Sequence, residues 1–304
     1  MLGKVLVPLD GSPLAEAALP YAQAIAAAFG EEVVLASVVA APPSGVSQAH
    51  QAFLDESRAE AESAGRRYLD AKAAQLRARG LQAREALLSG PVAATLQQYA
   101  EHQGIELIAL ATHGRAGLER WMVGSVTDHL IHGSTIPVLT FRPRHGGEVG
   151  PPLTRILVGL DGSDLAEAAL PYAVTLAQHL KLPVTLTQVV PSEVELFTGS
   201  NYVAYPVDIV SELKAAAGEY LDEHAGKLGG LGIVCDTAVE VGGPVTHLIE
   251  VANRVPGTLI VLSSHGRSGL GRALLGSVAD RVIHESHWLV LVVRARLTSL
   301  EPSS

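Results

Sequence analysis

The sequence predicts an α/β protein built from two copies of one parallel-sheet unit, and three observations carry that expectation. Segment 6–22, LVPLDGSPLAEAALPYA, returns at 157–173 as LVGLDGSDLAEAALPYA. Segment 113–126, HGRAGLERWMVGSV, returns at 265–278 as HGRSGLGRALLGSV, so the duplication spans nearly the whole chain with almost no net insertion. Around these repeats, short β-branched runs alternate with longer helical patterns. That alternation is the pattern of a parallel sheet covered by helices on both faces. At 304 residues, each copy holds enough chain to bury its own core.

The elements follow in order. The apolar run at 4–9 reads as a buried strand that ends on Asp10-Gly11-Ser12. Ser12 then caps a helix over 13–29, with Pro13 at its first position. Pro20 falls inside that helix and is expected to kink it. A strand at 33–39 leads into an irregular segment, 40–52, and then into a charged helix over 53–79 with i,i+4 pairs. Strand 82–88, helix 92–102, strand 107–111, helix 125–132 and strand 137–141 complete the first copy. The second copy repeats the scheme with strands at 155–160, 184–190, 233–241, 258–262 and 289–293. Its helices are expected at 164–180 (with Pro171 inside), 208–228, 245–253 and 277–285, and 191–205 reads as irregular. The Pro- and Gly-bearing stretch 144–153 reads as a linker between domains 1–143 and 154–296, and 297–304 as a C-terminal tail.

Composition excludes several function classes. A net charge of −9 opposes non-specific attraction to nucleic acid or anionic lipid. No run of about 18 apolar residues exists to span a membrane, and Asp10 arrives too soon for a signal-peptide core. Cys235, the single cysteine, rules out an intrachain disulfide and suits a reducing compartment. A cytoplasmic location is the expectation. Phosphate-loop, dinucleotide-fold and HExxH signatures are absent. So are a GxSxG elbow and a Cys/His pair, which leaves no nominated nucleophile. Of twelve histidines, His132 has a twin in His284 and the set reads as solvated or packed; no metal site is expected beyond Mg carried by a nucleotide.

Two constellations could carry chemistry. Asp10 and its twin Asp161 stand at the carboxyl end of the first strand of each copy, where open α/β sheets bind ligands. A purely structural role in the turn remains open beside that reading. The second constellation is Thr112-His113-Gly114 followed by Gly124-Ser125, with its twin Ser264-His265-Gly266 followed by Gly276-Ser277. Gly114 lets the backbone approach a bulky group, and Gly124-Ser125 opens a helix whose free N–H groups favour an anion. A phosphate chain between these turns would be held chiefly by main-chain donors. The competing reading is a capping box, Ser125 with Asp128 and Ser277 with Asp280. Capping does not explain why Gly114, Arg115, Gly117 and Leu118 recur as Gly266, Arg267, Gly269 and Leu270.

Both constellations, at this spacing, resemble the universal stress protein family in its tandem two-domain form. The resemblance covers 3–143 and 154–295. Its most specific part is G-x2-G-x9-G-[ST], here beginning at Ala111 and Ser263 in place of the first glycine. That exchange is small at φ < 0 and costly at φ > 0. The resemblance implies an adenine nucleotide alpha hydrolase-like fold: two doubly wound five-stranded parallel sheets of strand order 3-2-1-4-5, related by a pseudo-two-fold. Pairing through the last strands, 136–142 and 288–294, would make a pseudo-dimer within the chain, and a homodimer is a further option.

The resemblance also implies a nucleotide site. In the first copy it comprises Pro8, Leu9, Asp10, Val38, Ala111, Gly114, Arg115, Gly124, Ser125 and Val126. In the second it comprises Gly159, Leu160, Asp161, Val189, Ser263, Gly266, Arg267, Gly276, Ser277 and Val278. The aspartates would approach ribose and phosphates, and the two valines at the end of strand two would offer backbone groups to adenine. The expected function is a stress-response protein that binds ATP, with Mg, or a related adenine nucleotide, in a regulatory rather than catalytic role. A nucleotide-free scaffold of the same fold and a slow ATPase are the alternatives.

Overall fold

Strands form where the apolar runs were read. The computed structural model describes residues 2–40, 48–112, 124–143, 150–192, 209–264 and 275–294, divided between two units, Met1–Gly150 and Pro151–Ser304. The first unit contains β1 (Val5–Pro8), β2 (Val33–Val39), β3 (Ala83–Ser89), β4 (Leu107–Ala111) and β5 (Val138–Phe141), in the order β3-β2-β1-β4-β5. Every pairing is parallel, with Val5 opposite Val33 and Leu107, Val33 opposite Ala83, and Ile108 opposite Val138. The second unit contains β6 (Arg155–Leu160), β7 (Val184–Val190), β8 (Cys235–Val241), β9 (Thr258–Ser263) and β10 (Leu289–Val293), ordered β8-β7-β6-β9-β10. Both units thus have the expected 3-2-1-4-5 order. Val5, Leu6, Val33, Val34, Ile156, Leu157, Leu259 and Ile260 are fully buried, as continuous apolar strands covered on both faces must be.

The helices are α1 (Pro13–Glu16), α2 (Leu19–Phe29), α3 (Gln48–Ala78), α4 (Val92–His102) and α5 (Ser125–Gly133) in the first unit. Those of the second are α6 (Asp164–Glu167), α7 (Leu170–Leu180), α8 (Ile209–Gly230), α9 (Pro244–Asn253) and α10 (Ser277–Glu285). Right-handed crossovers place α3 over β2 and β3, while α4 packs beside α5; α8 lies over β7 and β8, and α9 packs beside α10. The burial of Tyr21, Ala22, Ile25 and Ala26 along α2 is the i, i+3/i+4 stripe of a helix facing a sheet.

Three expectations need correction. Pro20 and Pro171 do not kink a long helix. Each sits in the first turn of a new one, α2 or α7, after a break that follows α1 or α6. A proline cannot donate to the preceding turn, so the chain restarts where its missing N–H costs nothing. The segment 40–52 is not irregular to its end, because α3 begins at Gln48. Of the rest of that segment, 41–47 lies outside the described residues, as do 144–149 of the linker, 193–205 of the second irregular stretch, and the tail.

The duplication supplies a local test of backbone strain. α2 ends on Gly30 at φ 72°, whereas α7 ends on Lys181 at φ 55°, the one non-glycine at positive φ among the described residues. A side chain in this left-handed region costs about 1–2 kcal/mol, offset partly by glycine's larger unfolded-state entropy. Lys181→Gly is therefore expected to stabilise the protein by about 0.5–1 kcal/mol and Gly30→Lys to destabilise it by about 1 kcal/mol, read as shifts in urea midpoint at constant slope.

Candidate functional site

The carboxyl ends of β1 and β4, neighbours in the sheet, carry the two constellations. After β1 the chain turns on Gly11 (φ 81°) and after β6 on Gly162 (φ 80°). The Ser12 amide donates to Asp10 Oδ1 at 2.9 Å, and Ser12 Oγ accepts from Ala15 N at 3.1 Å. In the second unit the Ser163 amide and hydroxyl both donate to Asp161 Oδ1, at 3.0 and 2.6 Å, and Ser163 Oγ accepts from Ala166 N at 3.2 Å. Each aspartate thus closes its own turn, and each serine caps the short helix that follows. The structural reading of the aspartate is seen in both units, and in the second Asp161 also lines a cleft.

A second helix mouth faces the same edge. The Gly124 amide donates to the Thr112 carbonyl at 2.8 Å and the Gly276 amide to the Ser264 carbonyl at 2.6 Å. One hydrogen bond therefore closes the same loop in both copies. Gly114, Arg115, Gly266 and Arg267 lie inside these loops, outside the described residues. α5 and α10 begin on Gly124 and Gly276 as N-caps, neither with a side-chain cap. This corrects the capping-box reading: Ser125 and Ser277 are the first helical residues, one place too late to cap. Asp128 and Asp280 return their amides to the glycine carbonyls, at 2.9 and 3.0 Å. The amides of Ser125 and Val126, and of Ser277 and Val278, meet no protein acceptor among the described residues.

Neither glycine is demanded by the backbone. Gly124 sits at φ −61°, ψ 146° and Gly276 at φ −62°, ψ 142°, conformations open to any residue. A Cβ on Gly124 would meet nothing nearer than the Thr112 carbonyl, at an ordinary 3.5 Å. At Gly124, what glycine provides among the described residues is space beside the chain.

Ala111 and Ser263 close β4 and β9 as buried strand residues, and neither is among the positive-φ positions. A glycine is not needed at either place. The exchange of the first glycine is therefore the small one.

In the second unit these groups converge on a cleft of about 330 Å³. Gly159, Leu160 and Asp161 border it from β6, Val189 from β7, Ser263 from β9, and Gly276, Ser277 and Val278 from the α10 mouth. All the described second-copy residues expected at the site are therefore brought together. The sequence reading missed Ala166, Thr187, Pro244, Leu248, Leu262 and Ala279, which also line it. Thr187 was recoverable, since it lies two residues before Val189 and must share its face of the strand. In the first unit, Pro8, Leu9 and Asp10 end β1 and enter its turn, Val38 lies near the end of β2, Ala111 ends β4, and Ser125 and Val126 open α5.

A further duplicated contact holds the aspartate turn in place. Glu16, at the end of α1, accepts from Tyr68 Oη at 2.9 Å and from Lys72 Nζ at 2.5 Å, both on α3. Glu167, at the end of α6, accepts from Tyr220 Oη at 3.0 Å, and His224 Nε2 stands 3.3 Å away, both on α8. Sequence reasoning missed this tie as well. Its signal was the recurrence of Glu16 and Tyr68 as Glu167 and Tyr220.

Comparison with known proteins matches these features to one family. A family model described as "Universal stress protein family" matches residues 1–142 and 152–294. A universal stress protein of Methanocaldococcus jannaschii is 32% identical over 145 residues, 46% of this chain and 81% of its own. One of Mycobacterium tuberculosis is 29% identical over 196 residues, 62% of each chain. The crystal structure of a universal stress protein from Archaeoglobus fulgidus superposes with TM-score 0.70 at 22% identity, covering 97% of this chain and 99% of that one; that likeness shows the fold.

Among the described residues no helix is long and apolar enough to cross a membrane, and no cluster of three His, Cys, Asp or Glu side chains could hold a metal. Cys235 stands at the start of β8, away from the cleft, and burial together with Asp236 pushes its thiol up to about 11 from 9.0. At pH 8 its thiolate fraction is then about one hundredth of that of an unshifted thiol. Alkylation of the native protein by iodoacetamide at pH 8 is expected to run roughly 100-fold slower than in urea. The native rate should rise tenfold per pH unit until about pH 11.

Proposed function

The chain belongs to the universal stress protein family, and from that premise we propose that it binds ATP or a related adenine nucleotide in one or both units as a regulatory ligand in a stress response. The observation that carries the reading is the pair of uncapped helix mouths. At Gly124 a glycine that the backbone does not require leaves space, and the first amides of both helices meet no acceptor among the described residues. Such a mouth suits an anion, since the N-terminal amides and the helix dipole act together.

The remainder of the second-unit cleft suits the rest of a nucleotide. Leu160, Leu248 and Leu262 form an apolar floor for a base, Val189 stands where backbone groups would meet adenine, and Asp161 flanks the turn where ribose would lie. ATP fits these residues: amides of Ser277 and Val278 would hold phosphates, and Mg would arrive with the nucleotide. Bound Mg-ATP would bring a triphosphate that stays net negative after the metal is counted, and a planar base; the protein would supply neutral donors and apolar walls.

The same lining favours binding over turnover. Asp161 is the single ionisable side chain among the described residues of the cleft, and its Oδ1 already holds the Ser163 amide and hydroxyl. A general base must be within reach of a water and free to take its proton. The chain's location in the cytoplasm is part of the proposal, resting on its single cysteine and net charge of −9.

Isothermal titration of the full chain with Mg-ATP tests the proposal. Gly124→Asp and Gly276→Asp each place a carboxylate that both caps the helix and repels phosphate. Where its unit binds, each substitution is expected to cost about 2–4 kcal/mol, a 30- to 1,000-fold loss of affinity. Heat absent from the parent protein would overturn the reading. Asp10→Asn combined with Asp161→Asn is expected to leave any residual hydrolysis rate unchanged, measured by phosphate release.

A further inference from the structure

Successive residues of a strand face opposite sides of the sheet, and β7 uses both. Thr187 and Val189 border the cleft described above, beneath α9. Gln188 and Val190, with Val189 between them, border a second cleft of about 210 Å³ beneath α8, with Gly162, Leu213, Ala216 and Tyr220 among its other walls. Nothing in the nucleotide reading uses this second space.

Its polar content is unusual. Gln188 is only 7% exposed, and its Oε1 accepts no hydrogen bond. A buried amide carbonyl without a donor is a standing penalty that native proteins seldom carry. As the side chain stands Oε1 is itself buried; the terminal torsion of a glutamine is broad and two-fold, so a half-turn of the carboxamide would present the oxygen to a donor in the cleft. The first copy has Ser37 at the equivalent place, so the longer side chain is particular to the second unit.

The aromatic wall is fixed. Tyr220 donates to Glu167 at 3.0 Å and meets the His224 ring edge-on, with centroids 4.8 Å apart. Burial, Glu167 and then Asp161 and Asp164 push its hydroxyl well above the usual phenol range, so it stays neutral and keeps donating. The same three carboxylates set a negative potential at this end of the cleft, which disfavours an anion.

We propose that this cleft binds a neutral aromatic molecule of one or two fused rings, seated against Tyr220 and donating one hydrogen bond to the Gln188 carboxamide. The size follows from the volume: an apolar cavity of about 150 Å³ takes benzene, so about 210 Å³ takes a bicycle the size of indole. Polarised ring edges and a donor N–H match an aromatic face beside an unpaired carbonyl. Among the described residues the site shares only Val189 with the cleft at the helix mouths, and its recognition of an aromatic uses no nucleotide.

Ligand-observed NMR and calorimetry on the full chain, with indole as the probe, test this. Indole is expected to bind saturably. 1-Methylindole, which lacks the donor, should bind at least tenfold more weakly, and indole-3-carboxylate more weakly than indole. Gln188→Leu should abolish the preference for indole over 1-methylindole. Ala216→Phe, at an exposed position on the rim, should fill the space and remove indole binding while thermal unfolding stays unchanged. The proposal is overturned by any of three results: no saturation with indole, equal affinity of the parent for indole and 1-methylindole, or indole binding that survives Ala216→Phe.

Discussion

The site exists because the strand order reverses between β1 and β4. The chain leaves β1 for β2 on one side, and after β3 it crosses back to β4 on the other. Right-handed crossovers then put the helix after β1 and the helix after β4 on opposite faces, and the two connections diverge as they leave the sheet. Between them the carboxyl ends of neighbouring strands open into a crevice that no helix among the described residues covers. The Asp10 and Asp161 turns form one bank; the turns at Thr112 and Ser264 form the other. No single residue makes this crevice, so a substitution can tune it but not abolish it.

The two copies sort residues by what they do. Kept in both are the aspartate turn, the glycine amide that closes the loop after β4 or β9, and the glutamate–tyrosine tie from the crossover helix. These set backbone positions at the edge. Changed are side chains at wall positions, Pro8 to Gly159, Ala36 to Thr187 and Ser37 to Gln188, and the second partner of the glutamate, Lys72 to His224. Gly159 is the clearest case. A Cβ there would lie 2.6 Å from Leu262 and 3.1 Å from Leu248, so the second unit lets two leucines close beneath a bare backbone. The first unit places a proline ring at that position. The same backbone frame thus carries different side chains at this wall position.

Most of the fold was legible because it rests on periodicity. Five of the ten strands, including β2, β4 and β7, have the bounds read from their apolar runs. The errors fall where geometry, not pattern, decides. Whether Pro20 bends a helix or begins another depends on how the previous turn ends, which the hydrophobic stripe does not encode. Ser125 and Gly124 are adjacent, and either could have been the cap by composition; only the helix's first hydrogen bond, from Asp128 to Gly124, decides. The site's loop residues were legible through the duplication. The wall residues Leu248 and Thr187 were not singled out, since apolar and β-branched residues at such places look the same whether they face a core or a cleft.

Two helix mouths on one edge differ in how their first amides are satisfied, and the proposal of a ligand rests on that contrast. α1 and α6 begin on serines whose hydroxyls accept from the chain itself, so the N-terminal amide of Ala15 or Ala166 is satisfied from within. α5 and α10 begin on glycines with no such group. Replacing a capping serine by glycine costs a helix only a few tenths of a kcal/mol, whereas a buried unpaired amide costs about 1–3 kcal/mol. The exposed mouth can therefore stay open at little expense to the fold, with water satisfying its donors until a better acceptor comes. A phosphate oxygen bonded by two such amides displaces that water and meets the positive end of the helix dipole as well. An aspartate or serine at Gly124 would make a better-capped helix and a poorer anion site. That both copies forgo the better cap at this one mouth, while keeping it at the other, is the physical argument for an anionic ligand here.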